Sequence, residues 1–433
     1  MFNLKSSKHT QNIQWSLLSL ATSSLAHLLL RIVLGKELGP SGLGLYTLVF
    51  TIYLFGMQFG TFGISAALTN YVAEYYDNLP RLKELISSGI LGSVLSGSIL
   101  GLLLYLFSSV ISIQLFHNPE MTNLLWVTAL CFPFIAMQKA VIGALNGLRE
   151  MKWYAVVNTA QNILVMIVSF ALVRLLKMDV MGAVLGFVIP TITVGLLSLT
   201  FTRNFFILPS KTMKKVFKEI SRFGFYIVLA NSIGMVNTQI GSLVIGYFMN
   251  ETEVGYYAVA TLFLQGVTLL PQAVQAVTTP TIAAYYRKGD FHNIQNLVKN
   301  TMFKISAVIL CISLLLAIFG KFLITFLFTE EFLPAYLPML ILLVGYFIHS
   351  VYASIGGCLS SVGKVHILFK IDMICAGLNL LLNVLLIPQF GLIGAASATS
   401  LSMTFTTLVK LSCTKLYTQE KQIKSINFFN AIK

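Results

Sequence analysis

The stretch Asn383-Val-Leu-Leu-Ile-Pro388-Gln-Phe-Gly391-Leu-Ile-Gly394-Ala-Ala-Ser-Ala-Thr399 separates two apolar runs, 365 to 387 and 391 to 413. Each run is close to the ~20 residues needed to cross a hydrocarbon core about 30 Å thick. The proline and glycines between them mark a break, so two helices are expected here rather than one. Working outward, runs of the same kind fall at 14 to 34, 43 to 64, 86 to 110, 121 to 146, 155 to 176, 181 to 201, 222 to 249, 255 to 279, 300 to 328 and 333 to 360. The count is about twelve. Helices are required because a lipid-facing backbone group has no water to bond.

Composition agrees with a membrane chain. Hydrophobic residues make up 56% and charged residues 10% of 433 positions, against about 45–50% and about 25% in a soluble domain. Water-exposed stretches rarely exceed about 20 residues, too short for an independent soluble domain. The five cysteines, Cys131, Cys311, Cys358, Cys375 and Cys413, sit in or beside apolar segments with no metal or redox spacing. The N-terminal Lys5 and Lys8 precede an apolar run that continues to Leu34, which reads as a first transmembrane helix rather than a cleaved signal.

Placing the N-terminus in the cytoplasm puts 23 of the 29 Lys and Arg on that face and leaves five outside, Arg31, Lys36, Arg174, Lys177 and Lys321, with Lys139 inside a helix. That asymmetry is the positive-inside signature, and it expects both termini in the cytoplasm. The net charge of +14 therefore reports topology. A nucleic-acid surface does not fit, because the basic residues are spread over seven segments. The densest run, Arg203 to Arg222 with Lys211, Lys214, Lys215 and Lys218, either anchors orientation or holds anionic headgroups or a pyrophosphate. It also marks the expected boundary between an N-terminal lobe, 1–209, and a C-terminal lobe, 210–433.

Two lobes are expected because the chain repeats. Leu38-Gly39-Pro40-Ser41-Gly42-Leu43-Gly44-Leu45-Tyr46 aligns with Met249-Asn250-Glu251-Thr252-Glu253-Val254-Gly255-Tyr256-Tyr257 at an offset of 211. Gly182-Ala183-Val184 aligns with Gly394-Ala395-Ala396, and Ile142-Gly143 with Ile355-Gly356, at nearly the same offset. A repeat of six helices gives parallel copies with a cavity between them. The expected fold is an all-α integral membrane protein of about 12 transmembrane helices, two parallel six-helix bundles around a central cavity.

These landmarks also carry a resemblance. Leu29-Leu30-Arg31-Ile-Val-Leu-Gly35, the Leu38 to Tyr46 segment, and Gly60-Thr-Phe-Gly63-Ile-Ser65-Ala-Ala-Leu-Thr-Asn-Tyr-Val-Ala-Glu74 are similar to the opening of polysaccharide (oligosaccharide) flippases. The Pro388 to Ala396 pattern resembles their C-terminal lobes. Those flippases belong to the multidrug, oligosaccharidyl-lipid and polysaccharide exporter superfamily. The resemblance implies transport of a polyprenyl-diphosphate-linked oligosaccharide across the cytoplasmic membrane for surface polysaccharide biosynthesis, by alternating access. It implies membrane lipids as surroundings and glycan polymerases or glycosyltransferases as partners; turnover against a gradient would take either H+ or Na+ as a coupling ion or removal of product by downstream polymerisation. The landmarks are structural loops and transfer no binding residue.

Candidate site residues come from polar stripes at bilayer depth. The first helix offers Ser16, Ser19, Ser23, His27 and Arg31; the fifth Asn158, Gln161 and Asn162; the seventh Asn231, Thr238 and Ser242; the eighth Gln265, Thr268, Gln272 and Gln275; the eleventh Asp372, Asn379 and Asn383. Each stripe fits either a wet cavity or interhelical hydrogen bonds, worth around 1 kcal/mol per pair or less. A charge at bilayer depth costs roughly 2.5–3.5 kcal/mol, which singles out Asp372 and Lys139. Asp372 is either a coupling-ion site or one half of an ion pair; Lys370, two residues away, points to another face. Lys139 either attracts a diphosphate or snorkels. His27 and Arg31, one turn apart, either meet an anionic headgroup or anchor the helix. Pro133, Pro190 and Pro271 are expected to kink their helices.

No phosphate-cradling loop, His-Glu-x-x-His pair, clustered cysteine ligands or Ser-His-Asp set occurs. No cofactor, metal or catalytic activity is expected. Two other functions remain open: a cation-coupled multidrug exporter of the same fold, which would depend on Asp372, and a membrane enzyme of glycan assembly.

Overall fold

The computed structural model describes residues 2–207 and 211–418. Every described element is helical. In chain order they are α1 (Phe2–Gly60), α2 (Ile64–Glu74), α3 (Leu79–Ser109), α4 (Glu120–Ala129), α5 (Phe132–Gly147), α6 (Met151–Phe170), α7 (Asp179–Ser198), α8 (Lys211–Phe248), α9 (Glu251–Arg287), α10 (Phe291–Leu327), α11 (Tyr336–Ala353), α12 (Cys358–Ser361) and α13 (Val365–Thr418). Among the described residues nine helices are long and apolar enough to cross a membrane, or ten with α4 and α5 taken as one bent span. The expected boundary at 209/210 and the C-terminal Lys421, Lys424 and Lys433 lie outside the described residues. So do the side chains of Lys5, Lys8, Lys211 and Lys214.

Two of the runs are far longer than one crossing. Gln14–Glu74 spans 61 residues and Val365–Thr418 spans 54. At 1.5 Å per residue, each would be about 80–90 Å long if straight. Neither is straight. The first breaks at Gly39 (φ 65°, ψ −174°) before Pro40, and the second at Gly391 (φ 57°, ψ −134°) after Pro388. Both backbones are in the positive-φ region that a Cβ disfavours, so glycine sets the place of the turn and proline denies the amide needed to continue. The break expected from the 388–394 sequence is therefore present.

Other breaks follow the prolines. The α4 and α5 axes meet at 43°, with Pro133 in the first turn of α5 rather than inside a continuous 121–146 helix. Pro190 and Pro271 remain within α7 and α9. Many polar residues in these spans are satisfied locally. Thr47, Thr128 and Thr406 each donate to the carbonyl four residues earlier at 2.7 Å, which lets a hydroxyl stay in an apolar helix at little cost.

Packing divides the chain into two compact units, residues 1–232 with 250–255, and 233–249 with 256–433. In the first, a core of Ile64, Leu68, Leu85, Ile86, Val141 and Leu145 joins α2, α3 and α5. A second, aromatic cluster stacks Tyr53 on Phe132 at 6.0 Å and sets Phe187 at 5.0 Å from Tyr53. The lower part of α8 belongs to this unit: Arg81 pairs with Glu219 at 2.6 Å, and Phe223 meets the Tyr71 ring at 5.5 Å. In the second unit, α11 and α13 pack closely enough that a side chain at Gly345 would strike Ser400, 2.6 Å from its Cα. Tyr257 and Tyr352 hydroxyls reach Thr399 and Thr414 at 3.0 and 3.3 Å. The surfaces of α3 and α10 carry bare apolar side chains, Leu106 at 61% and Phe303 at 75% exposure among them, as lipid-facing helices require.

Candidate functional site

The first unit contains a cavity of about 530 Å³. Its walls come from five elements, the end of α1, α2, α5, α6 and α8, and its lining is rich in amides and hydroxyls: Gln58, Thr61, Ser65, Thr69, Asn70, Asn146, Tyr154, Asn158 and Asn231. One cation, Lys139, is set among them.

The α2 segment shows how sequence makes this wall. Ile64, Ala67, Leu68 and Val72 are buried on one face, while Ser65, Ala66, Thr69 and Asn70 face the cavity. A helical period divides the two sets cleanly. Gly63, in the left-handed region at φ 65°, starts this helix where its backbone crosses that of Gly224 on α8. A Cβ at Gly224 would lie 3.0 Å from the Gly63 carbonyl carbon, so only two glycines allow the crossing. That contact carries Ile227 and Asn231, one and two turns along α8, to the cavity. On the opposite wall the Thr69 hydroxyl donates to the carbonyls of Ser65 and Gly143 at 3.0 and 3.1 Å, locking α2 to α5 one turn beyond Lys139.

Lys139 extends from α5 and is half-buried. Among the described residues no carboxylate lies within ion-pair distance of it. An unpaired ammonium at bilayer depth needs water or an anionic visitor, and a polar cavity supplies room for either. The surrounding amides offer both donors and acceptors. Asn158 and Asn162 use their own Nδ2 groups on the carbonyls four residues back, at 3.2 and 2.8 Å, which leaves the Asn158 Oδ1 free of these bonds.

The other sequence candidates separate into groups. Lys139, Asn158 and Asn231 converge on the cavity. Gln161 instead donates to Thr191 at 3.0 Å and accepts from Gln138 at 3.5 Å, a polar tie between α5, α6 and α7. Asn379 and Asn383 are fully buried, and Asn383 Nδ2 donates to the Asn379 Oδ1 at 2.7 Å. Asp372 pairs with Lys410 at 2.6 Å, bringing the two halves of α13 together across the Gly391 break; Lys370 is exposed. Gln265 and Gln272 are exposed on α9 and Gln275 is half-buried. His27 is exposed with its ring 6.4 Å from Phe50. Arg31, half-buried, has no ion-pair partner among the described residues. Neither lines the cavity. Among the described residues no group of three or more His, Cys, Asp or Glu could hold a metal.

Several lining residues escape the sequence reading: Gln58, Thr61, Ser65, Thr69, Asn70, Asn146 and Tyr154. Gln58, Thr61, Ser65 and Thr69 recur every three or four residues, the same signal that singled out the fifth and eighth helices.

Comparison with known proteins places the chain. The family model for polysaccharide biosynthesis proteins matches residues 9–286, and the MatE model matches residues 227–385. An uncharacterized membrane protein of Methanocaldococcus jannaschii is 24% identical, over 90% of this chain and 81% of its own. "Probable flippase AglR" of Haloferax volcanii is 23% identical, over 85% of this chain and 75% of its own. Among solved structures, lipid II flippase MurJ in an inward closed conformation superposes with a TM-score of 0.74 at 18% identity, over 97% of this chain and 92% of its own. A polar cavity inside an all-helical membrane scaffold, with a family model spanning well over half the sequence, makes this chain a member of the polysaccharide biosynthesis protein family, the polysaccharide flippases of the multidrug, oligosaccharidyl-lipid and polysaccharide exporter superfamily.

Proposed function

We propose that this protein is a flippase that carries a polyprenyl-diphosphate-linked oligosaccharide across the cytoplasmic membrane by alternating access, without chemical change to its cargo. The observation that carries this is the cavity in which Lys139, unpaired among the described residues, stands among amides and hydroxyls. The barrier to be removed is dehydration of sugar hydroxyls and two phosphates. Amide walls exchange hydrogen bonds with sugars, and the ammonium offsets phosphate charge. The tail stays in lipid. Similarity to a Haloferax protein named as a probable flippase supports the flippase reading. Exposed Gln265 and Gln272 offer amides on α9, and Arg31 would meet the phosphates near the end of the α1 segment that precedes the Gly39 break.

Twelve crossings follow if the runs broken at Gly39 and Gly391 each cross twice, with six helices in each of the lobes 1–209 and 210–433 and both termini in the cytoplasm. Asp372 is the coupling-ion candidate for H+ or Na+. Its pairing with Lys410 means that an entering cation must displace an ammonium already in place. Glycosyltransferases or a glycan polymerase would supply and consume the cargo.

The MatE match over residues 227–385 favours one other function, cation-coupled drug export. Protein in liposomes separates the two. A fluorescent lipid-linked oligosaccharide loaded in the inner leaflet should become accessible outside, unmodified, at a rate proportional to protein content. Drug efflux with no movement of that lipid would overturn the flippase reading, and elongated glycan would reveal an enzyme.

A further inference from the structure

A second recess lies outside the cavity, where α8 begins. Its walls are apolar, made by Phe62, Phe217, Phe225 and Tyr226 around a groove of about 480 Å³, and Lys218, Ser221 and Arg222 complete the lining. Three features of it call for a ligand of one kind.

Charge is the first. Lys215, Lys218 and Arg222 follow one another at three- and four-residue spacing, on one face of the helix. Lys218 and Arg222 are exposed and have no ion-pair partner among the described residues. The one acidic residue between Lys211 and Arg222, Glu219, is turned away to Arg81 at 2.6 Å. Second, the Ser221 hydroxyl is shielded from solvent yet has no hydrogen-bond partner. A buried hydroxyl ordinarily has one. Third, the apolar wall is open: Phe225 and Tyr226 are 46% and 65% exposed. Phe62 is held at φ 47°, a left-handed backbone, with its ring 6.2 Å from Phe225. Backbone strain of this kind persists where the surroundings enforce it, and the neighbouring Gly63–Gly224 crossing does so.

Depth completes the picture. Lys215–Phe248 spans 34 residues, about 51 Å of helix against a hydrocarbon core of roughly 30 Å. With the apolar end of α8 in hydrocarbon, its basic first turns stand at the level of lipid headgroups. A soluble anion would answer the cations and leave the exposed Phe225 and Tyr226 rings uncovered. A neutral lipid would cover the rings and leave the cations and Ser221 unanswered. We infer that this groove binds one anionic phospholipid, its phosphate between Lys218 and Arg222 with Ser221 donating, and its first methylenes along Phe225 and Tyr226. Such a lipid would be present whether or not cargo is being moved.

Native mass spectrometry of the full-length protein in detergent tests this, with dioleoylphosphatidylglycerol or dioleoylphosphatidylcholine as the added lipid. One phosphatidylglycerol should be retained ahead of all others and phosphatidylcholine should not. Lys218→Gln/Arg222→Gln should weaken that binding by roughly tenfold or more, and Ser221→Ala by less. Lys288→Gln/Lys299→Gln, which removes two exposed charges elsewhere, should leave it unchanged. Equal retention by the Lys218→Gln/Arg222→Gln protein would overturn the assignment. So would displacement of the lipid by millimolar inorganic phosphate, or by one equivalent of a polyprenyl phosphate, which would give the groove to the cargo.

Discussion

The proposed transport turns on one side chain, Lys139. It stands on α5 within a wall otherwise made of neutral groups, so it supplies the only formal charge that a diphosphate would find among the lining residues. A hydrogen bond to a charged group is worth about 1.5–3 kcal/mol, or roughly ten- to hundredfold in affinity. Lys139→Gln should therefore slow translocation of a lipid-linked oligosaccharide by roughly tenfold at subsaturating cargo, with expression and melting temperature preserved, while Lys139→Arg retains most of the rate. Flux unchanged in Lys139→Gln would remove the residue from the transport path. Lys139 was legible in the sequence because an isolated ammonium in an apolar run demands a reason. Gln161, Asn379 and Asn383 carried the same kind of signal, yet they spend their amides on Thr191 and on each other. A polar stripe states that a partner is needed, and only the packing says whether that partner is another helix or a wet space.

Among elements, α2 and α8 decide the shape of the cavity, and they do so through two glycines. Gly224 presses on the Gly63 backbone, whereas Gly234, ten residues along the same helix, has nothing within 4 Å of where a Cβ would be. This pair makes a matched test. Gly234→Ala should stabilise the protein by up to about 1 kcal/mol through helix propensity alone. Gly224→Ala gains the same propensity and should nonetheless destabilise by about 1–3 kcal/mol, because two backbones must part. Thermal unfolding in detergent measures both; a Gly224→Ala protein as stable as Gly234→Ala would show that the crossing does not hold the wall. The same elements explain what the sequence withheld. Ser65, Thr69 and Asn70 lie past the end of the expected 43–64 run, in a stretch that bears the family resemblance and reads as a structural loop, whereas the structure makes it the helix α2. Asn146 and Tyr154 are near a helix end and a helix start, and nothing local says that the α5–α6 turn brings them to the wall formed by α2.

At the scale of the molecule, two of the three landmarks aligned in the sequence fall at or near helix breaks. The breaks at Gly39 and at 249–250 stand 211 residues apart, and those before α7 and after Pro388 are nearly equivalent. The third pairing, Gly143 with Gly356, does not repeat: one is inside α5 and the other in a turn after α11. The first pair goes further, because its members touch within the first unit. A Cβ on Gly44 would strike the backbone of Glu251, and one on Gly255 would strike the backbone of Pro40. Under the 211-residue offset, Gly44 corresponds to Gly255 and Pro40 to Glu251. Under that offset each contact is thus the image of the other. Ser41 adds a hydrogen bond to Glu251 at 3.4 Å. If this crossing is symmetric in energy as well as geometry, Gly44→Leu and Gly255→Leu should lower the melting temperature by similar amounts. The double substitution should cost clearly less than the sum of the two, since either one already parts the same pair of backbones. Additive losses, or a loss confined to one position, would mean that the two contacts are independent and that the reciprocity is only one of sequence.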